Sequence, residues 1–577
     1  MQRLFLIPLL FASLAAPRAS HAQSPDPADY LFPVCGVQGL YSANFGEMRP
    51  NHFHSGVDIK TDGVEGKPLV AVADGYVSRI AVSPSGYGRA LYIALDNGTT
   101  AVYGHLSRFR DDLEAFVRSE RLRQRRNRID LWCTADRFPV RQGDTVGYSG
   151  NSGTSFGPHL HYEIRETATQ RTLNTVRLGI VRPKDDLPPT IVRIRYFETD
   201  TVRGIPVHTE RFACDAVKSD PHTYRLARTA PLEVGPCGHF VVEATDRRNG
   251  VANTFGLYRM TQYVDDRPVF EYRMDGFTFD RSRYCNAAAH YPLQVATRHE
   301  AIRLAALEGA CTDFCPTLVG RGALRTQEGQ SHRIRIEAED DCGNISQIAF
   351  TVRGRGARPA ACDSLAVVCD RRRTSTLAAD EATLTLPAGA LYESLCVRPE
   401  RLSLRPKADT TLILLSPVYR LLDASVPLQK AATVRIRAFV PEKLRPHTTL
   451  AVIDRKGRLV NAGGRYDDGT VTARTTQTGP MLVVADTVPP TVRPLFADGA
   501  DLSRAEGLTF RLGDNFSGIA SCELYIDGEW SICDRYPMKG TAFHPFDTPR
   551  TQSRHTVRLE ASDASGNRTV WTGMFYR

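Results

Sequence analysis

Two histidines one residue apart, His159 and His161 in the string G-P-H-L-H, carry the densest chemistry in the chain. On a strand, residues i and i+2 project from one face, so both imidazoles can enter one site. The Tyr-Glu-Ile-Arg that follows favours a strand there. Upstream, His54 and Asp58 stand four apart in H-S-G-V-D, and His105 lies in Y-G-H-L. Four-residue spacing would align on a helix, but Gly56 and the β-branched Val57 and Ile59 argue against one. A tight loop leading into a strand converges the pair instead. Neutral imidazoles and a carboxylate suit Zn²⁺, and catalytic zinc typically keeps three protein ligands and a position for water. The metal acidifies that water and polarises a carbonyl. Five candidates exceed three ligands, which leaves two for proton transfer or oxyanion stabilisation. His52 stands two residues before His54, so spacing alone leaves the choice between those imidazoles open.

The elements that must hold these residues read as β. Pro68 to Val77 and Ala90 to Leu95 carry alternating or continuous apolar residues, and Gly75, Gly86, Gly88 and Gly98 punctuate them. Arg110 to Asp130 lacks Gly and Pro, is rich in Arg, Glu and Leu, and reads as a helix inserted between strands. Its segment from Arg118 to Arg128 holds six Arg and one Glu, which reads as a solvated face rather than as a contact for an anionic polymer.

The chain has the marks of export. Arg3 precedes an apolar run from Leu4 to Ala16 of about 13 residues, short of the roughly 20 needed to span a bilayer. Ser20-His21-Ala22 then offers the small residues a signal peptidase reads, which predicts a signal peptide over 1–22. No later stretch is apolar enough for a transmembrane segment. A periplasmic or secreted location follows. The 13 Cys read first as disulfides, with Cys311 and Cys315, Cys362 and Cys369, and Cys522 and Cys533 close enough in sequence to pair locally. No C-x-x-C occurs, which argues against a Cys-built zinc site. A net charge of +9 over 577 residues is modest and names no partner.

After Arg182 short β-like runs continue to the end. Val242 to Asp246, Ile336 to Asp340 and Leu559 to Asp563 share an apolar strand end followed by an Asp/Gly/Asn turn. Asp186 to Val192 and Asp486 to Val492 share a Pro-Pro pair that opens a first strand. Such a frame fits β-sandwiches of about 100 residues. The division expected is 23–182 for the unit with the five candidates, 183–358 for a β-sandwich region of one long or two units, 359–485 for a further β domain with Leu384–Leu386 and Val434–Phe439 as strands, and 486–577 for an immunoglobulin-like sandwich. The turns at Asp340-Asp341 and Asp514-Asn515 could bind Ca²⁺, although ordinary Asx turns are the commoner reason for such residues.

Taken in order, His54-x-x-x-Asp58, Gly66-x-Pro68-x-Val70, Tyr103-Gly-His105-Leu, Gly143 to Gly150, and Gly157-Pro-His159-Leu-His161-Tyr-Glu resemble the lysostaphin/LytM-type zinc endopeptidases over about residues 42–176. The resemblance implies that His54, Asp58 and His161 bind one zinc ion, and that His105 and His159 are catalytic: they orient or deprotonate water and stabilise the oxyanion. It implies a small antiparallel β metallopeptidase domain with an open groove, here with a helical insertion at 107–139, acting on peptide bonds of peptidoglycan. Nucleic acid is not among the implied partners. Two other readings are a catalytically silent wall-binding regulator, which ligand loss would mark and none is lost here, and a metalloprotease acting on protein.

Overall fold

The computed structural model describes residues 26–358, 362–404, 406, 411–546 and 553–577. The signal segment 1–22 lies outside the described residues. Among those described, no helix is long and apolar enough to cross a membrane.

The site is carried by a 10-stranded sheet whose main path runs Tyr41–Ala43, Val57–Lys60, His159–Glu166, Thr99–Gly104, Arg89–Leu95, Gly75–Val82 and Ile129–Trp132. Arg89–Leu95 and Thr99–Gly104 are buried along their whole length, which explains their unbroken apolar texture. An Asp96-Asn97-Gly98 turn joins them, and Gly98 takes the positive φ of 83° that a tight hairpin needs. The expected run Pro68–Val77 is two strands, Pro68–Val70 and Gly75–Val82, in separate sheets.

The inserted helix is shorter than its sequence suggests. It spans Asp111–Gln124 and stops where Arg125 takes a left-handed conformation (φ 49°, ψ 52°), its N–H bonding back to Arg121 and Leu122 carbonyls. The chain then enters the strand Ile129–Trp132. The Arg-rich face is also not simply solvated. Arg121 is only 3% exposed. Its Nη2 lies 2.5 Å from Asp534 Oδ1 in the C-terminal unit, and Asn127 exchanges hydrogen bonds there with the Cys522 carbonyl and the Cys533 N–H.

Residues 183–358 contribute to a 13-stranded sheet. Its core is continuous with that of the first unit: Phe277 lies 5.5 Å from Phe45 and 5.4 Å from Phe53 between ring centroids. Strand Thr172–Leu173 pairs with Gly276–Phe277 across this seam. Residues 491–577 form two sheets of four and five strands around Leu508, Phe510, Leu524, Leu559 and Phe575. Between these regions, a separate core gathers Leu377, Leu384, Val434 and Val483. The disulfide among the described residues joins Cys362 to Cys396, while Cys311, Cys315, Cys369, Cys522 and Cys533 are free. The local pairs suggested by spacing do not form. Strand pairing sets Val368 opposite Cys396, and Cys369 is buried in the core.

Glu300 fastens the seam, accepting the Met48 N–H from the first unit through Oε1 and the Leu257 N–H through Oε2. Burial raises its carboxyl from 4.5 to about 7 despite those bonds. An acid whose folded value is raised holds an extra proton between the two values, so stability falls as pH climbs through that window. Wild-type protein is therefore expected to lose roughly 1–3 kcal/mol from this group between about pH 5 and 7. Glu300→Gln, less stable at pH 5 because one backbone bond is lost, should show a shallower slope in urea unfolding. An unchanged slope would remove Glu300 as the cause.

Candidate metal centre

Strand register assembles the centre. Asp58 on Val57–Lys60 stands opposite His161 on His159–Glu166, and His161 also stands opposite Gly104 at the end of Thr99–Gly104. His159 pairs with Lys60. His105 follows immediately after Gly104 in a left-handed conformation, φ 63°, unusual for a residue with a Cβ. His54 comes from a non-helical approach to its strand. That approach lies directly on its neighbour: a Cβ at Gly56 would sit 2.3 Å from the Tyr162 carbonyl oxygen.

Three atoms converge. His54 Nε2 lies 3.1 Å from Asp58 Oδ1 and 3.1 Å from His161 Nδ1, and His161 Nδ1 lies 2.9 Å from Asp58 Oδ1. The opposite ring nitrogens are committed. His54 Nδ1 donates to the Asn44 carbonyl at 2.8 Å, and His161 Nε2 donates to Glu163 Oε1 at 2.8 Å. With those protons placed, His54 Nε2, His161 Nδ1 and Asp58 Oδ1 all present lone pairs to one point. A triangle of this size suits one ion at about 2.0–2.2 Å from each corner. Asp58 Oδ2 is held by Arg49 Nη2 at 3.1 Å, which leaves Oδ1 for that point.

The electrostatics agree. Burial would lower His161, but its hydrogen bonds to Asp58 and Glu163 outweigh it and raise the imidazole to about 9. The anionic surroundings attract positive charge. Burial also opposes ionisation of Asp58, yet His54 and His161 hold its carboxyl well below the usual range. His54 is lowered to about 4, chiefly by burial. His105 is lowered to about 3, by burial and by its neighbour His159.

His105 and His159 flank this point without joining the triangle. Their rings are 4.7 Å apart, and His159 Nε2 is 3.6 Å from Asp58 Oδ1. Each is oriented through Nδ1, which donates at 2.8 Å to the Ser152 carbonyl from His105 and to the Gly157 carbonyl from His159. Their Nε2 atoms thus remain available. His52 stays apart, exposed, with Nδ1 on the Pro50 carbonyl. Of six histidine and aspartate candidates raised by spacing, five gather and His52 does not.

Several partners were not singled out from sequence. Glu163 is fully buried, receives Tyr87 Oη at 2.5 Å and Ser55 Oγ at 2.7 Å, and is bound by Arg165 Nε at 2.6 Å. Its signal was present: residues 159, 161, 163 and 165 alternate onto one face of the strand. Tyr87, stacked on His161 at 4.9 Å, and Arg49 had no such signal.

A buried pair of imidazoles and a carboxylate, flanked by two more oriented imidazoles, defines a metallopeptidase centre. Residues 52–121 match the model for Peptidase family M23. His159 and His161 lie beyond the matched stretch and reach the site through strand pairing. Residues 367–486 match a Zu5-like domain. The chain is 30% identical over 170 residues to an uncharacterized metalloprotease of Haemophilus influenzae, covering 29% of this chain and 27% of that protein. It is 31% identical over 131 residues to the DD-carboxypeptidase/endopeptidase Mpg of Neisseria meningitidis, covering 23% and 24%. The match thus spans about a quarter of the length of these relatives. Among solved structures it is similar to the catalytic domain of the prophage-encoded M23 protein EnpA from Enterococcus faecalis, at 29% identity and TM-score 0.18 over 24% of this chain and 88% of that one. The lysostaphin catalytic domain from Staphylococcus simulans aligns at 20% identity and TM-score 0.17, over 25% and 86%.

Proposed function

We propose that this protein is an exported zinc endopeptidase that hydrolyses peptide bonds in peptidoglycan stems or cross-links. The observation that carries the reading is the convergence of His54 Nε2, His161 Nδ1 and Asp58 Oδ1 on one point, flanked by His105 and His159. His54, Asp58 and His161 would hold the ion. Zinc, when bound, supplies Lewis acidity toward a peptide carbonyl and toward water. Asn44 and Glu163 fix the ring orientations of His54 and His161, as partners outside the ligand set commonly do. His159 and His105 each keep Nε2 free, so one of them would take a proton there from the attacking water and, once protonated, donate that N–H toward the developing oxyanion and pass the proton to the leaving amine. The similarity to a DD-carboxypeptidase/endopeptidase supports a wall substrate. The signal-like start supports a periplasmic or secreted location. The regulator and protein-protease readings have no observation of their own.

The test is full-length mature protein with zinc, offered cross-linked wall fragments, with muropeptides followed by mass spectrometry. New free amino and carboxyl ends at peptide bonds are expected. Unchanged muropeptides from folded, zinc-loaded protein would sink the proposal. Glu163→Gln keeps the shape but weakens the acceptor for His161, and should lower zinc affinity about 10–100-fold in competition with a chelating dye. Unaltered affinity would deny Glu163 that role.

A further inference from the structure

Two groups of three carboxylates lie outside the peptidase centre, Asp185 with Asp246 and Asp340, and Asp486 with Asp514 and Asp563. In each group one oxygen per residue falls within 4.8 Å of the others. We propose that each group is a Ca²⁺ site, binding one cation at the end of a β unit where the Pro-Pro segment enters.

Clustered acids alone would carry nothing. The second observation is that buried carboxylate oxygens face into both groups without donors. Asp246 is 1% exposed, and neither of its oxygens has a hydrogen-bond partner among the described residues. Asp486 is 0% exposed, and its Oδ2 is likewise unpartnered, as are Asp185 Oδ2 and Asp514 Oδ1. Burying a carboxylate without a counter-charge is costly, and proteins pair such groups or give them a metal. The cation near the first group, Arg248, is bound through Nη2 to Asp341. Burial and the neighbouring Asp340, Asp185 and Asp341 push the Asp246 carboxyl up to about 9, so the group strongly favours added positive charge.

The second group repeats the first part by part. Asp340 and Asp563 each accept N–H bonds within their own turns through Oδ1 and bond Asn344 or Asn567 through Oδ2. Those Asn side chains donate in turn to the carbonyls of Asp185 and Asp486. Asp246 follows Thr245, paired with Thr190, and Asp514 follows Gly513, paired with Thr491. The two units thus place three carboxylates at matching positions of strand and turn. All the donors are oxygen, which selects a hard cation. Ca²⁺ tolerates irregular, protein-filled coordination at 2.3–2.6 Å, whereas Mg²⁺ demands a near-ideal octahedron and keeps its waters. Oxygens within 4.8 Å of one another fit a shared ion at the longer distance.

The experiment uses the full mature chain, stripped with chelator, desalted and reloaded with one equivalent of Zn²⁺. Ca²⁺ alone is then titrated by calorimetry, and bound metal is counted by mass spectrometry. Two Ca²⁺ per chain are expected, with half-saturation roughly in the 0.1–1 mM range of extracellular calcium modules. Asp246→Asn should remove one and Asp514→Asn the other. Each variant should have a lower Tm than wild type in 5 mM Ca²⁺, a concentration about 5- to 50-fold above half-saturation. Without Ca²⁺ that difference should close near pH 7, because the raised Asp246 carboxyl is then protonated and uncharged, as the amide is. A purely structural role for these residues would not make the difference depend on Ca²⁺. Folded wild-type protein that takes up no Ca²⁺, variants that keep both ions, or an equal response to Mg²⁺ would each overturn the assignment. Wild-type stoichiometry decides the matter even where a variant fails to fold.

Discussion

Asp58→Ala and His161→Ala are expected to abolish both zinc retention and wall cleavage, with turnover reduced at least about 100-fold. Each change deletes one corner of a triangle whose edges are 2.9–3.1 Å. Two remaining ligands form an open site from which the ion exchanges readily. The strand carrying each residue is held by backbone pairing on both sides, so the sheet should survive. Asp58→Asn is the sharper control. It keeps the volume and the Arg49 contact geometry but removes the charge that balances the ion. Zinc content after desalting, read beside circular dichroism, separates loss of ligand from loss of fold. A folded Asp58→Ala protein that still carries one zinc per chain would refute the ligand set.

His159→Ala is expected to do the opposite to the two measurements: full zinc content with turnover reduced about 10²–10⁴-fold. The ring sits beside the triangle, not in it, and its Nδ1 is spent on the Gly157 carbonyl. Removing it leaves the three converging atoms untouched and deletes an imidazole Nε2 facing the reacting groups. His105→Ala should behave similarly toward zinc but also loosen the loop at Ser152, whose carbonyl His105 holds. If His159→Ala loses metal in parallel with activity, His159 is a ligand and the division of roles is wrong.

Much of this site was legible in the chain because strand alternation is a short-range rule. His159, His161 and Glu163 belong to one face whatever the rest of the protein does. The choice of His54 over His52 was not legible, since both satisfy the same spacing, and only the turn at Asn51, with φ 68°, sends His52 outward. Arg49 and Tyr87 were invisible because their contacts are tertiary. The helix end at Arg125 was missed because nothing in an Arg-rich run announces a left-handed cap; Gly or Asn would have done so. The buried Arg121 followed from the same cause, since its partner Asp534 lies 413 residues away. The Asp-Gly-Asn pattern was seen, but it grouped Asp246 with Asp340 and Asp563. Register gives Asp246 the part of Asp514 instead.

Asn44 has a consequence beyond the site. Its side chain exchanges two hydrogen bonds with Gly256, and its carbonyl receives the proton of His54 Nδ1. Aromatic rings from both sides of the seam interlock just behind it. The hydrolytic portion is therefore not a cassette that can be cut out at residue 182 and moved into another gene. A shortened version would bare greasy surface and deprive Asn44, which orients the His54 ring, of its own two bonds to Gly256. Ancestry should show the first two units inherited together, with any swapping of modules confined to the downstream half.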